Sequence, residues 1–324
     1  MGSERKETIL SKETLELAKK ELREDESTRD QALESMRTWV EQNPRIISCR
    51  TDDSFLLRFL RFKKFSVPMA QEAMERYLLL RQTLAQAFHN LDMHLPRMSY
   101  LLSKGYLFAS PGRDKYGRRW IIARPGVFDP YKYINEDMCR IHGIVYETLM
   151  EDQENQIRGF VHFADGVGVS FPYLTLFTPK EAVRIVKNGE RTVPMRHKEV
   201  HVINVPSALK YVLDWGMTLI SEKIKKRVKI YTSIDEALKT IDTDMLPQEY
   251  GGKIPMAEMI ERFKEEIELA RPQLLDHDKM EMRLELFSEN AKAGAVSALK
   301  AGNTSCNPYK NDLLCGSFRK LEVD

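Results

Sequence analysis

Few residue groupings in this 324-residue chain could perform chemistry, and each falls short of a complete site. Gly168-Val169-Ser170-Phe171-Pro172 has the serine of a nucleophile elbow, but Pro172 stands where the closing glycine belongs. Gly166-Val167-Gly168 lacks the third glycine of a dinucleotide loop, and no GxxxxGK[ST] phosphate loop is present in the sequence. His197 and His201 are four apart, as on a zinc-binding helix, yet Glu199 is misplaced for HExxH and residues 199–204 have a strand pattern. On a strand such a pair shares a face but lies about 13 Å apart at ~3.3 Å per residue, too far for one metal ion. Each is therefore expected to be a structural histidine. Asp165 ends an apolar run, where it could serve as an acid or brace the following turn; the brace is the expected role. No catalytic residue, metal or cofactor is expected, and a binding protein is. Cys49, Cys139, Cys306 and Cys315 show no CxxC spacing and are expected as reduced thiols.

The elements that must position these residues change character along the chain. Apolar periods and caps predict helices over about 12–24, from Thr28 with Gln31 to about 42, from Asp52 and Asp53 onward, and from Ser66 and Pro68 to about 84. Short apolar strands are then predicted at 106–109 and 119–124, with a turn at Asp114-Lys115-Tyr116-Gly117. Asn135 opens a helix to about 153, and strands follow at 159–165, 199–204 and 228–231. Thr178-Pro179-Lys180-Glu181, Ser207 and Ser233 start the intervening helices, and 256–290 reads as helical. An α/β class results: helices first, then a mostly parallel sheet flanked by helices. The predicted divisions are a helical domain over 1–95, an α/β domain over 96–270, and a C-terminal helix with an irregular tail over 271–324.

The chain carries 50 Lys and Arg against 48 Asp and Glu, a balance that disfavours nucleic acid as a partner. Residues 180–230 hold 12 basic and 5 acidic side chains, residues 231–290 hold 7 and 15, and residues 58–64 hold four basic and none acidic. Basic segments with aromatic and aliphatic neighbours suit an anionic membrane surface. Residues 208–220 are apolar around much of a helix and end beside Lys223 and Arg227, as a lid opening onto a membrane would. No apolar run of membrane-spanning length and no secretory signal appear, and Lys6 stands where N-myristoylation after Gly2 wants Ser or Thr. A cytoplasmic protein, transiently peripheral on membranes and monomeric, is expected.

Five ordered strings resemble one family. DDSFLLRFLRFKKFSV, FVHFADGVGV, VPMRHKEVHVINVP, SEKIKKRVKIYTS and LPQEYGGKIP resemble successive segments of CRAL-TRIO lipid-transfer proteins, closest to the tocopherol-transfer and retinaldehyde-binding branch. The resemblance implies an N-terminal helical domain and an α/β domain whose apolar cavity is closed by a helical lid. It implies carriage of one retinoid, tocopherol or related terpenoid, without catalysis. The implied cavity takes Cys139, His142 and Tyr146 from one helix face, Phe160 and Ala164 from the central strand, Phe177, Ile185, Val193 and Met195 opposite, and Leu213, Met217 and Ile220 from the lid. His142 and Tyr146 are bulkier than the small hydroxyl residues of tocopherol-type members, which shortens the cavity or supplies another polar handle. The implied phosphoinositide site is Lys63, Arg196, Lys198, Lys223 and Arg227. Two alternatives to the carrier stand: a lipid-sensing regulatory module recruiting a protein through the acidic C-terminal region, and an esterase-like enzyme using Ser170.

Overall fold

Local caps begin the N-terminal helices. The computed structural model describes residues 10–176, 183, 186 and 192–292. Ser11 accepts the Thr14 N–H at the start of α1 (Lys12–Leu22), and Asp25 accepts the Thr28 N–H at the start of α2 (Glu26–Gln42). α2 therefore begins before the Thr28 box, because a carboxylate cap adds charge–dipole attraction to its hydrogen bond. Asp52 caps α3 (Asp53–Phe62), and Pro68 occupies the first turn of α4 (Val67–Thr83). Met36, Phe55, Phe59, Met74 and Tyr77 form the shared core of α2, α3 and α4. Short helices α5 (Ala85–Phe88) and α6 (Pro96–Ser103) lead to the sheet.

β2 (Leu107–Arg113) and β3 (Arg119–Ala123) form an antiparallel hairpin after the short β1 (Ile46–Ser48). Asp114 sets its turn by accepting the N–H groups of Tyr116 and Arg118, and Gly117 takes the φ of +72° that a side chain would strain. β4 (Phe160–Asp165), β5 (His197–Ile203) and β6 (Val228–Ile230) continue the sheet in parallel, in the order β2-β3-β4-β5-β6. α7 (Asn135–Met150) and α8 (Gln153–Arg158) connect β3 to β4. A 3-10 turn at Ser207–Leu209, then α9 (Lys210–Leu219) and α10 (Glu222–Lys225), connect β5 to β6. α11 (Ile234–Leu238) and α12 (Met256–Asp276) follow. The predicted helix over 256–290 stops at Asp276; β7 (Glu281–Met282) then pairs with β1, and Met280, Met282 and Phe287 enter the N-terminal helical core.

The two sheet faces differ. In-register residues of parallel strands share a face. Trp120, Ile122, Val161, Phe163, His201 and Ile203 lie on one face, and all are buried. On the other face Ile121 and Phe160 are buried, but His162, Ala164, Val200, Val202 and Val228 are half-buried and Ile230 is 46% exposed.

The basic string at 58–64 is not the surface feature its composition predicts. Arg58 and Arg61 are 0% and 1% exposed and bind carboxylates across the junction between the helices and the sheet domain. Arg58 donates to Glu147 at 2.8 Å and to Glu151 at 2.7 Å, while Arg61 donates to both oxygens of Glu24 at 2.6 and 2.9 Å. Tyr77 donates to Glu147 at 2.6 Å, and Arg50 bridges Glu151 and His277. Burial opposes ionisation of Glu147 and Glu151, but the surrounding cations hold both carboxyls below the usual range.

Candidate functional site

The half-open face of β4 and β5 meets α7. A helical face requires the i, i+3, i+7 spacing of Cys139, His142 and Tyr146, and all three are half-buried. Tyr146 meets His142 edge-on at 5.5 Å between ring centroids and His162 at 6.3 Å; Tyr106 meets the other side of His142 at 5.7 Å. His162 continues the row to His197, with 2.8 Å between Nε2 and Nδ1. A continuous line of rings, Tyr106–His142–Tyr146–His162–His197, therefore runs from the first turn of the sheet domain to β5.

These groups are desolvated while keeping some accessible side-chain surface. Burial lowers the His142 pKa although its Nδ1 is 2.8 Å from the Met138 carbonyl. Burial, then the neighbouring His197 and His142, hold His162 well below the ordinary histidine value. Burial pushes the Tyr146 hydroxyl up to about 12. Both rings are thus neutral near pH 7.

His162 and His197 were not among the expected cavity residues. His162 is the middle residue of the 160-162-164 alternation, so its position was available from spacing. His197 was not, because a β-bulge intervenes: Phe160 pairs with His197 but Val161 pairs with Glu199. The extra residue turns His197 toward His162, while His201 stacks on Trp120 and Tyr231 on the opposite face. The expectation that His197 and His201 share a face is thereby corrected.

The remaining expected cavity residues divide. Ala164 and Val193 are half-buried. Phe160 at 0% and Met195 at 2% exposure are packed into the core, so neither retains surface with which to line a hollow. Leu213, Met217 and Ile220 are half-buried while Tyr211 is 85% and Trp215 42% exposed, so the lid segment has a distinct inner side; no residue of α9 is buried. Phe177 and Ile185, and the Thr178-Pro179-Lys180-Glu181 start, lie outside the described residues.

Of the basic residues, Arg196, Lys198 and Arg227 come together. Glu21 of α1 accepts from Arg196 at 2.6 Å and from Lys198 at 2.7 Å, and Arg227 donates to the His197 carbonyl. Burial, opposed by Glu21, lowers the pKa of both Arg196 and Lys198, and Arg227 adds like charge to each. Lys63 lays its ammonium over Phe62 at 4.2 Å, and Lys223 is exposed on α10. Glu21 was missed from sequence. The buried stripe Thr14, Ala18, Leu22 shows that α1 docks, but its seat against α8, through Thr14 and Glu154, is a tertiary fact.

Asp165 braces its turn as expected: it accepts from the Tyr250 hydroxyl at 2.6 Å, the Asn204 amide at 2.9 Å and the Val167 N–H at 3.1 Å. Ser170 is exposed ahead of the 3-10 turn Phe171–Thr175. Among the described residues no His, Cys, Asp or Glu cluster has metal-binding geometry, and no helix is long and apolar enough to cross a membrane.

The CRAL/TRIO domain family model matches residues 103–252, and the model for the Pinta-like UBA domain matches residues 25–98. Clavesin-1 of Xenopus laevis is 30% identical over 251 residues, covering 77% of this chain and 76% of its own length. The chain belongs to the CRAL-TRIO family. Clavesin-2 of Homo sapiens is similar at 29% identity, with 77% of each chain covered. The structure described as "Crystal structure of Sfh5" aligns with 78% of this chain and 99% of its own at 11% identity and a TM-score of 0.49. The helices before the sheet, the mostly parallel sheet and the flanking helices of this CRAL-TRIO protein agree with the fold class expected from sequence.

Proposed function

We propose that this CRAL-TRIO protein is a non-catalytic carrier of one small hydrophobic lipid of retinoid or tocopherol-like size, exchanged at anionic, phosphoinositide-bearing membranes. One observation carries this function: an apolar sheet face left half-open, in a domain that also carries a helix with a half-buried apolar side and no buried residue. On the opposite face of the same sheet the apolar residues of β3 and β4 are buried, and its β5–β6 edge carries the half-buried Glu199 and the exposed Lys229. Burying apolar lipid surface is worth ~25 cal/mol per Å², and a wall of Ile, Val and Ala recovers it while a few polar groups fix orientation. The exposed Tyr211 and Trp215, followed in sequence by the exposed Lys223, give this segment the aromatic and cationic surface that favours a membrane interface.

The test is native mass spectrometry of the purified full chain after mixing with retinol- or tocopherol-loaded vesicles, paired with transfer between neutral and phosphoinositide-containing vesicles. A single-lipid adduct with faster exchange at the anionic vesicles supports the carrier. Absence of any lipid adduct contradicts it.

A further inference from the structure

The tautomer of His142 specifies a property of the ligand. Its Nδ1 lies 2.8 Å from the Met138 carbonyl, which can only accept, so Nδ1 carries the ring proton. In the neutral imidazole Nε2 then has a lone pair and no hydrogen. That atom accepts no hydrogen bond among the described residues, and the same residues leave the Tyr146 and Tyr106 hydroxyls without partners. The half-buried His142 and Tyr146 thus bring an acceptor and a donor to one stretch of apolar wall. Buried polar groups are nearly always paired, and a half-buried wall whose acceptor and donors find no partner among the described residues is suited to a molecule bearing both functions.

We propose that His142 Nε2 accepts a hydrogen bond from a hydroxyl of the bound lipid, so that the cavity selects alcohols and phenols over the matching ethers, aldehydes and carboxylates. This deepens, and rests on, the carrier function above. A hydroxyl donates to Nε2 and accepts from Tyr146 Oη, satisfying both groups at once. An ether or aldehyde oxygen can accept from Tyr146 but has no proton to give, so the Nε2 lone pair is left unpaired. A carboxylate adds an unpaired negative charge to a site whose imidazole is neutral. His162 does not take this place, because its Nε2 is already engaged with His197. Cys139 on the same helix face is a weak donor, and the role assigned here does not need it.

The experiment compares two matched pairs on the full chain by equilibrium binding: retinol with retinyl methyl ether, and α-tocopherol with its methyl ether. Each pair keeps one apolar body and changes only the donor. At least one alcohol is expected to bind about 30-fold more tightly than its ether, ~2 kcal/mol at ~1.4 kcal/mol per tenfold. His142→Phe keeps the aromatic edge contacts and is expected to bind both members of that pair alike. Tyr146→Phe is expected to weaken the alcohol alone, by less, and serves if the first variant does not fold. Equal affinities of the unmodified chain for both members of every pair that binds overturn the hydroxyl assignment and leave the carrier intact. No binding of any of the four probes overturns both.

Discussion

Two regions of this molecule bury ionisable side chains, and they do so in opposite ways. At the junction of α3, α7 and the chain after α12, Arg58, Arg50, Glu147, Glu151, Tyr77 and His277 meet one another at 2.6–2.8 Å. Along the half-open sheet face, Tyr106, His142 and Tyr146 meet as rings, edge to edge, with polar atoms unpaired among the described residues. The first region joins guanidinium groups to carboxylates within the chain, although Arg58 Nε and His277 Nδ1 have no hydrogen-bond partner among the described residues. The second, on the function proposed above, is completed by a bound lipid. Burial alone therefore does not distinguish the two regions; the guanidinium–carboxylate pairing of the first and the ring contacts of the second do.

Breaking the junction gives the largest effect on folding. Arg58→Met leaves Glu147 and Glu151 facing each other without their shared cation, and a loss of about 3–5 kcal/mol is expected in denaturant unfolding. Adding Glu147→Gln to that variant recovers part of the loss. An Arg58→Met protein as stable as the parent would erase the contrast between the regions. His142→Phe, by comparison, is expected to change the stability of the lipid-free chain by less than ~1 kcal/mol, because no hydrogen-bonded carboxylate is stranded. The same variant is the one expected to abolish discrimination between alcohol and ether.

Acid reaches the neutral histidines of both regions before the carboxylates. His142, His162 and His277 have folded pKa values below their unfolded values, His277 at about 3. Each binds fewer protons when folded than when unfolded, so stability is full above the unfolded value near 6.5 and declines as pH falls below it. Glu199, held at about 2 by Arg118 and Lys229 against burial, contributes stability that is lost only below the ordinary carboxylate value. Denaturation midpoints are therefore expected to fall between pH 6.5 and 5, before the carboxylates titrate. His162→Asn should flatten that decline, by at most ~1.4 kcal/mol per pH unit for one group. A midpoint independent of pH over this range would contradict the neutral-histidine wall.

The smallest effect is expected at the basic trio. Glu21 is an internal counter-charge for Arg196 and Lys198, so Glu21→Gln should raise partitioning onto phosphoinositide vesicles about fivefold, ~1 kcal/mol for one lipid-facing charge. Its effect on folding stability should be slight, because Glu21 is partly exposed and such pairs contribute little. Unchanged partitioning in a vesicle sedimentation assay would remove the trio from the membrane face. Replacing Arg196, Lys198 and Arg227 with Ala should slow lipid release to those vesicles while leaving lipid affinity near that of the parent.

How much of this was legible in sequence follows from which features are local. Caps and apolar periods located α3, α4, α7, β4 and β6 closely, because each depends on residues within a few positions. The stripe Cys139, His142, Tyr146 came from the family resemblance and agrees with the spacing of one helix face. The pairing of Arg58 and Arg61 was not, since their carboxylates come from residues 24, 147 and 151, and a local charge count assigned them to the surface. The bulge that separates His197 from His201 depends on the register against β4 and left no mark in the spacing. The docking of Glu21 likewise joins residues 21, 196 and 198. Sequence thus placed the α7 stripe, while its continuation through His162 and His197 and the counter-charge of the basic trio were tertiary.

The most direct test of the account is a long-range proton–nitrogen NMR spectrum of the histidine rings, recorded near pH 7 with and without lipid. The account predicts a neutral His142 protonated at Nδ1, whose Nε2 resonance shifts when the preferred lipid alcohol is added and does not shift with its methyl ether. A His142 protonated at Nε2, or an Nε2 resonance unmoved by a bound alcohol, would contradict it.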